Sequence, residues 1–302
     1  MKLNLKAQTT MEGIYSFKAV NAFTGESRHL GDVADSPNMI VKAGLNAVGG
    51  GATLIYQCCI GTNSTTVTFN DTGLGAQIAA TTTIQSSTYG AASSAPYYRW
   101  YRKTFRFDQG VAAGNLAEVG MKTSSGTLFS RALIVDSAGI PTTLSILEDE
   151  YLDVTYELRT YIDSTDKVQT LVINGDTYTV TLRAADITSS SYYQDEGITS
   201  ILSSSTNQYF CSGYIGSVVN SPSGASYGQG RSLRGNYITD SFERTFTTSA
   251  GLNYSNYSGG IQALYIQTSQ GNFQAGFVPA LPKNNYMIIT IDLTVGWGVY
   301  DS

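Results

Sequence analysis

The sequence predicts an all-β protein of antiparallel β-sandwich units, with one short helix near the N-terminus. Three observations lead to this fold class. Apolar and polar residues alternate with period two in many runs, clusters of Gly, Asn, Asp and Ser separate those runs, and one segment alone has helical spacing. A length of 302 residues with 42% hydrophobic content is enough for sizeable buried cores.

The helix is expected to begin near residue 36. Ser36 is a suitable N-cap and Pro37 suits the first helical position. The apolar and small residues at helical spacing are Ile40, Gly44, Ala47 and Val48. The glycines at 49–51 should end the helix, and a strand is expected over residues 54–60.

Two later strands have a well-defined apolar face. In residues 152–159 that face consists of Leu152, Val154, Tyr156 and Leu158, and the opposite polar face is expected to meet water. In residues 287–295 it consists of Met287, Ile289, Ile291, Leu293 and Val295. Between these strands, Asn174-Gly175 supplies the positive φ angles of a type I′ turn and predicts a hairpin.

A weak internal repeat suggests that the β unit is duplicated. The segment at 101–105 resembles that at 242–246, and Phe105, Asn115 and Pro141 are followed at one constant separation by Phe246, Asn256 and Pro282. We therefore divide the chain into an N-terminal region of strands, helix and docking surface (1–95), a β-sandwich unit (96–187), a loop-rich insertion (188–236) and a second related β unit (237–302).

The composition argues against several classes of partner. Charged residues make up 14% of the chain, below the roughly 25% typical of soluble domains, and the net charge is −5. Without clustered Lys and Arg, nucleic-acid binding is not expected. The N-terminus lacks the apolar segment of a signal peptide and no stretch is long enough for a membrane span, so we expect synthesis in a cytosol and no membrane insertion.

Residue types that usually carry catalysis or bind transition metals are scarce. His29 is the only imidazole, lies in an expected turn and has no nucleophile motif beside it. Cys58, Cys59 and Cys211 are too few for a disulfide framework, and neighbours on a strand face opposite ways, so we interpret them as small semi-buried hydrophobes. We predict no enzyme activity, no catalytic, metal or cofactor-binding residues, and no cofactor.

Acidic residues leave two weaker alternatives open. Calcium accepts oxygen ligands, and Glu148, Asp149 and Glu150 with Asp153, or Asp163 with Asp166, have them, although turn residues flanking strands are the simpler explanation. A glycosidase needs two carboxylates in one cleft, which a sequence alone does not place.

Aromatic residues are the main candidates for contact, with 21 Tyr, 11 Phe and 2 Trp. The densest clusters are 97–101, Tyr192 with Tyr193, and Tyr254 with Tyr257. A strand at 97–107 would have Tyr97, Arg99, Tyr101, Lys103, Phe105 and Phe107 on one face. The other face would consist of Tyr98, Trp100, Arg102, Thr104 and Arg106. Neither face is cleanly apolar, so partial exposure and docking are plausible.

Several segments, in their order, resemble those of tailed-bacteriophage fibre, baseplate and minor tail proteins. They are NAFTGESR (21–28), NMI (38–40) with GLNAVG (44–49), CIGT (59–62), and the stronger series FRF (105–107), GNLAEVG (114–120), LFSRA (128–132) and YLDVTY (151–156). The resemblance implies a tail component and brings no catalytic residues.

The leading hypothesis is thus a structural protein of the phage tail, assembled in the bacterial cytoplasm and located in the virion. It would form homo-oligomers and bind other tail proteins. The alternative is a receptor-binding module that recognises host surface glycans through exposed Tyr and Trp, and a polysaccharide depolymerase ranks third.

Overall fold

Strands dominate the computed structural model, which describes residues 2–173, 175–189, 208–228 and 233–301. The first strands are β1 (Lys2–Asn21), β2 (Ser27–Arg28), β3 (Ser36–Pro37), β4 (Met39–Ile40), β5 (Gln57–Gly61), β6 (Gln77–Thr81), β7 (Ile84–Ala91) and β8 (Tyr98–Phe107). The middle strands are β9 (Gly114–Leu116), β10 (Glu118–Lys122), β11 (Leu128–Leu133), β12 (Leu144–Ile146), β13 (Glu150–Ile162), β14 (Lys167–Ile173) and β15 (Asp176–Ala185). The last strands are β16 (Gln208–Cys211), β17 (Ser226–Gly228), β18 (Leu233–Arg234), β19 (Glu243–Ala250), β20 (Ile261–Thr268), β21 (Gly271–Leu281) and β22 (Ile289–Val299).

These strands form one large sheet, two smaller sheets and a short β9-β12 pair. The large sheet has the order β18-β19-β22-β1-β13-β8-β7, with β2 and β3 paired to β1. The first small sheet has the order β4-β11-β10-β5-β6 and the second has β14-β15-β21-β20-β16-β17. All named pairings are antiparallel except that of β1 with β22. The predicted all-β class of sandwich-like sheets is confirmed.

Strand order repeats between two halves of the chain. Eight strands, β4 to β8 with β10, β11 and β13, make a first unit, and β15 to β22 make a second unit. When the two sets are matched in chain order, each strand has the corresponding neighbours: β4-β11-β10-β5-β6 corresponds to β15-β21-β20-β16-β17, and β13-β8-β7 corresponds to β22-β19-β18. The shared β1 lies between the two units, with β13 on one side and β22 on the other.

The three sequence anchors of the repeat occupy corresponding places in this topology. Phe105 and Phe246 lie on β8 and β19, the fifth strand of each unit, and both rings are buried. Asn115 and Asn256 come before the sixth strand, and Pro141 and Pro282 follow the seventh. These two units span residues 39–162 and 176–299, which is wider than the related units predicted at 96–187 and 237–302, and their duplication stays a prediction.

Each unit also has a buried cation two residues before its anchor Phe, Lys103 before Phe105 and Arg244 before Phe246. Lys103 is 8% exposed and donates through Nζ to the carbonyl oxygen of Ile55, at 2.8 Å. Arg244 is 7% exposed and donates to the carbonyl oxygens of Gly235 and Gly49. Each cation thus anchors a loop or helix end against the inner face of the large sheet.

The core lies between the large sheet and the two small ones. Over the first unit, the Tyr15 hydroxyl lies 2.8 Å from Ser130 Oγ, and the rings of Phe129 and Tyr156 meet edge to face at 6.4 Å. Over the second unit, residues from both layers belong to one buried cluster, namely Phe246, Ile289, Ile291, Leu293, Val180, Phe210, Leu264, Phe273 and Phe277.

The helix ends as predicted but begins later than predicted. Helix α1 spans Lys42–Gly50, and Gly51 closes it with a φ of 80° and a hydrogen bond to Ala47 O. The prediction that Ser36 caps it is wrong, because Ser36–Pro37 forms β3, paired with β1. A residue that precedes proline favours extended backbone, and long-range pairing uses that preference here.

The predicted amphipathic strands are confirmed with shifted bounds, and Met287, predicted on the apolar face of the last strand, precedes β22 and is half-buried. Leu152, Val154, Tyr156 and Leu158 are buried on β13, and Ile289, Ile291, Leu293 and Val295 are buried on β22. The strand predicted at 54–60 starts only at Gln57, although Leu54 and Ile55 before it are buried.

The predicted hairpin is present as β14 and β15, which pair up to Ile173 and Asp176, with Gly175 at a φ of 93°. Asn174 lies outside the described residues. The domain boundaries proposed at 95, 187 and 236 stay predictions, and strand pairing runs across all three.

Candidate interaction surface

Strand β8 has the two faces that the sequence alternation predicts. Phe105 and Phe107 on the inner face are fully buried. On the outer face, Trp100 is half-buried, and its indole lies over Gly90 of the neighbouring strand β7, where a Cβ would come within 2.5 Å of Cζ2. Because Gly90 has no side chain, the indole can lie flat against the sheet.

Ion pairs link the outer faces of β8 and β13. Arg106 donates two hydrogen bonds to the two carboxylate oxygens of Asp153, each 2.7 Å long. Glu157 accepts hydrogen bonds from Arg102 Nε at 2.9 Å and from Arg159 Nε at 2.6 Å. Asp153 and Glu157 are 7% and 8% exposed, so the expectation that this polar face simply meets water is wrong for its carboxylates.

Aromatic rings lie among these arginines. The guanidinium of Arg102 lies 4.9 Å from the Trp100 ring centre, and that of Arg106 lies 4.9 Å from Tyr151. Tyr161 stacks on Tyr300 with ring centres 3.8 Å apart. Tyr98 lies against Tyr161 at 5.2 Å and under Arg159 at 5.0 Å. We call this surface the aromatic-arginine face; it consists of Tyr98, Trp100, Arg102, Arg106, Tyr151, Arg159, Tyr161 and Tyr300.

Burial and hydrogen bonds determine the protonation states of the ionisable groups at this face. Burial alone would raise the pKa of Glu157, but hydrogen bonds from Arg159 and Arg102 outweigh burial and lower it. Burial, followed by its hydrogen bond to Glu12, raises the pKa of Tyr161 to about 12. At neutral pH the carboxylate is therefore charged and the phenol neutral, which fixes the pattern of donors and acceptors.

The other flank of the same sheet has a different outer face. Pairs of hydroxyl groups join β19 and β22, with Thr245 Oγ1 2.8 Å from Thr294 Oγ1 and Ser249 Oγ 3.1 Å from Thr290 Oγ1. Asp292 accepts a hydrogen bond from Thr247 and pairs with Lys2 at 2.9 Å. We call this surface the hydroxyl face; it consists of Glu243, Thr245, Thr247, Ser249, Thr290, Asp292 and Thr294.

Other sequence candidates lie apart from the aromatic-arginine face. His29 is exposed and accepts a hydrogen bond from the backbone N–H of Gly31. Cys58, Cys59 and Cys211 are free and fully buried, more so than expected, and burial raises the pKa of Cys59 and of Cys211 to about 11. Tyr257 donates to Phe210 O, while Tyr192 and Tyr193 lie outside the described residues.

The carboxylates considered for calcium are mostly held by neighbouring donors. Asp149 accepts from Asn21, Glu150 pairs with Arg28, and the hydrogen bond from Arg28 lowers the pKa of Glu150. Asp163 pairs with Lys167, and Asp166 with Arg183. Among the described residues, no three His, Cys, Asp or Glu side chains cluster as a metal site.

The described residues include no helix with the length and apolar character needed to span a bilayer. The fold and this surface define an all-β protein of sandwich-like sheets, with an aromatic and charged face on its large sheet. No protein-family model, curated protein or solved structure matches the chain.

Sequence reasoning identified half of this face. From the alternation on β8 it placed Tyr98, Trp100, Arg102 and Arg106 on one face, whereas Tyr151 and Tyr161 of β13 were not singled out. Tyr300 was missed, because its stacking on Tyr161 depends on β1 bringing β13 and β22 together. No local pattern indicates that contact.

Proposed function

We propose that this chain is a structural component of a bacteriophage tail, of fibre or baseplate type, that acts by self-assembly and by docking to other virion proteins. The observation that carries the proposal is the aromatic-arginine face. Tyr, Trp and Arg are the residues most enriched at the energetic centres of protein interfaces. The resemblance of several short segments between residues 21 and 156 to segments of tail proteins supports the virion setting.

The face is well suited to binding because its side chains are already ordered. Arg102 and Arg159 share the carboxylate of Glu157, and Tyr161 is stacked on Tyr300. Ordering rotamer-rich side chains on association costs roughly 0.5–1.5 kcal/mol each. The ion pairs and ring stacking within the free chain reduce this cost. We propose that a second copy of the chain binds to this face.

Sedimentation velocity over a wide concentration range tests the proposal. We expect the wild type to self-associate, and Tyr98→Ala with Trp100→Ala to weaken association about tenfold or more, as for interface hot spots. The matched control is Thr245→Ala with Thr294→Ala on the hydroxyl face, which should associate as the wild type does. A wild-type chain that stays monomeric and binds no other tail protein would refute the proposal.

The alternative function, recognition of host surface glycans, predicts a different result for Trp100→Ala. Loss of host adsorption with intact particles favours glycan recognition, whereas loss of particles favours assembly. A depolymerase would shorten host polysaccharide chains on incubation, and the assembly proposal expects no shortening. Locating the chain in images of the intact particle tests the virion setting directly.

A further inference from the structure

A loop at residues 212–225 lies on the outer face of the second small sheet. Gln274 of β21 holds it, because its Oε1 accepts from the N–H of Gly216 at 2.8 Å and its Nε2 donates to Ser217 O at 3.0 Å. Arg183 of β15 adds a hydrogen bond to Gly216 O at 2.8 Å. Gln274 is 1% exposed, so these buried hydrogen bonds anchor the loop firmly.

Beside this loop is a polar cavity of about 270 Å³. Its lining includes Tyr209 of β16, Tyr265 and Gln267 of β20, and Asp186, which directly follows β15. The rings of Tyr209 and Tyr265 stack with centres 5.9 Å apart, and Tyr209 is half-buried. The opposite face of these strands belongs to the core, so the cavity has a rigid base.

Hydrogen bonds fix the polar groups of the cavity around the Tyr265 hydroxyl. This hydroxyl donates to Asp186 Oδ2 and accepts from Gln267 Nε2 at 3.0 Å and from Asn272 Nδ2 at 3.2 Å. Its donor and acceptor capacity is therefore used within the protein.

Acceptor oxygens remain around that hydroxyl. Within the described residues, Asp186 Oδ1 and Gln267 Oε1 line the cavity and accept no hydrogen bond. Buried polar atoms normally have partners, so acceptors left over at a cavity point to a ligand with several donors.

Charge narrows the class of ligand. Asp186 carries the only charge among the described residues that line the cavity, which disfavours an anion. A positively charged side chain lies near the cavity, because Arg99 Nη2 donates a hydrogen bond to the backbone oxygen of Asp186 at 3.3 Å. The two free acceptor oxygens and this nearby guanidinium fit a neutral ligand with hydroxyl groups best.

We propose that this cavity binds one unit of a neutral saccharide. Hydroxyl groups of the sugar donate to Asp186 Oδ1 and Gln267 Oε1, and an apolar C–H face of the ring packs on Tyr209. The site lies on the second small sheet, shares no lining residue with the aromatic-arginine face and does not depend on self-assembly.

Saturation-transfer NMR with the full-length chain tests this inference. The probes are the methyl glycosides of glucose, galactose, mannose and N-acetylglucosamine, with glucuronic acid and glucosamine as charged comparisons. We expect saturable binding of at least one neutral probe. Asp186→Asn and Tyr209→Ala should each weaken it about tenfold, the effect of losing one charged hydrogen bond or one stacking ring.

The matched control is Tyr214→Ala, which removes an exposed ring of the same loop outside the cavity and should bind as the wild type does. Asn tolerates the positive φ of 44° at position 186, so Asp186→Asn should keep the fold, and Gln267→Ala serves as a third variant. No binding of any neutral probe, binding of glucosamine alone, or wild-type binding by all three variants would overturn the inference.

The assembly proposal is tested separately by the same proteins. Tyr209→Ala should leave sedimentation unchanged, and Trp100→Ala should leave sugar binding unchanged. Failure of one proposal therefore does not imply failure of the other.

Discussion

The two units share an inner face and differ in their outer face. On the inner side, Phe105 and Lys103 of the first unit correspond to Phe246 and Arg244 of the second, and all four are buried. On the outer side, β8 and β13 of the first unit carry the aromatic-arginine face, to which Tyr300 after β22 also belongs, and β19 and β22 of the second unit carry the hydroxyl face. Packing requirements thus preserve corresponding positions inside the sandwich, whereas the solvent side is free to differ.

This difference locates the proposed interface. If the fold alone required aromatic rings on the outer face of β8, the corresponding strand β19 would also carry them, yet it has Thr245, Thr247 and Ser249. Small hydroxyl pairs suffice to cover a sheet. The rings and arginines of the first unit therefore support the proposed contact with a second copy of the chain.

The largest expected effect concerns the shared core. We expect Phe105→Ala and Phe246→Ala each to lower the free energy of unfolding by about 3–5 kcal/mol, since each leaves a cavity in a fully packed interior. Urea denaturation measures both. Phe23→Ala is the control, because this ring is 78% exposed and should change stability by no more than about 0.5 kcal/mol. A much smaller cost for one of the two core rings would break the equivalence of the units.

A smaller effect is expected at the corresponding buried cations. Lys103→Met and Arg244→Met keep most of the side-chain volume but leave the carbonyls of Ile55 and of Gly49 and Gly235 without these donors, at a cost of about 1–3 kcal/mol each. The same denaturation experiment on Lys2→Met is the control, because Lys2 is 63% exposed in its ion pair. An equal loss of unfolding free energy in Lys2→Met would show that removing a positive charge, and not removing a buried donor, produces the destabilisation.

The smallest expected effect is a difference between the two outer faces in how much they contribute to the pH dependence of folding stability. The pKa of Glu157 is lowered in the folded state from its ordinary 4.5, so its contribution to stability is present above about pH 4.5 and is lost as the pH falls through the lower folded value. Burial alone would raise the pKa of Asp292, but hydrogen bonds from Thr247 and Lys2 outweigh burial and lower it. Because two arginines hold Glu157 and one lysine holds Asp292, Glu157→Gln should flatten the acid dependence more than Asp292→Asn.

Denaturation midpoints measured from neutral pH down to acid test this order. The gap between wild type and Glu157→Gln should close as the pH falls. A gap that widens in acid would mean that the sign of the pKa shift is wrong, and equal slopes for both variants would remove the electrostatic distinction between the faces.

Much of the local structure was predictable because it depends on neighbours in the chain. Alternation assigned the buried faces of β8, β13 and β22, Gly49–51 ended the helix, and the repeat anchors found strands that occupy corresponding places. The start of the helix was not predictable in this way. Ser36 and Pro37 have good capping chemistry, but pairing with Ile14 and Tyr15 of β1 takes them into a strand.

By itself the sequence determined which side chains share a face, since side-chain direction follows from the two-residue period of a strand. Only the tertiary structure decided which strands meet: β1 joins the two units, Tyr161 stacks on Tyr300, Glu157 lies between two arginines, and Asp186 meets Tyr265 beside a cavity. These contacts join residues far apart in the chain. Their existence depends on long-range pairing and packing, for which a local pattern carries no information.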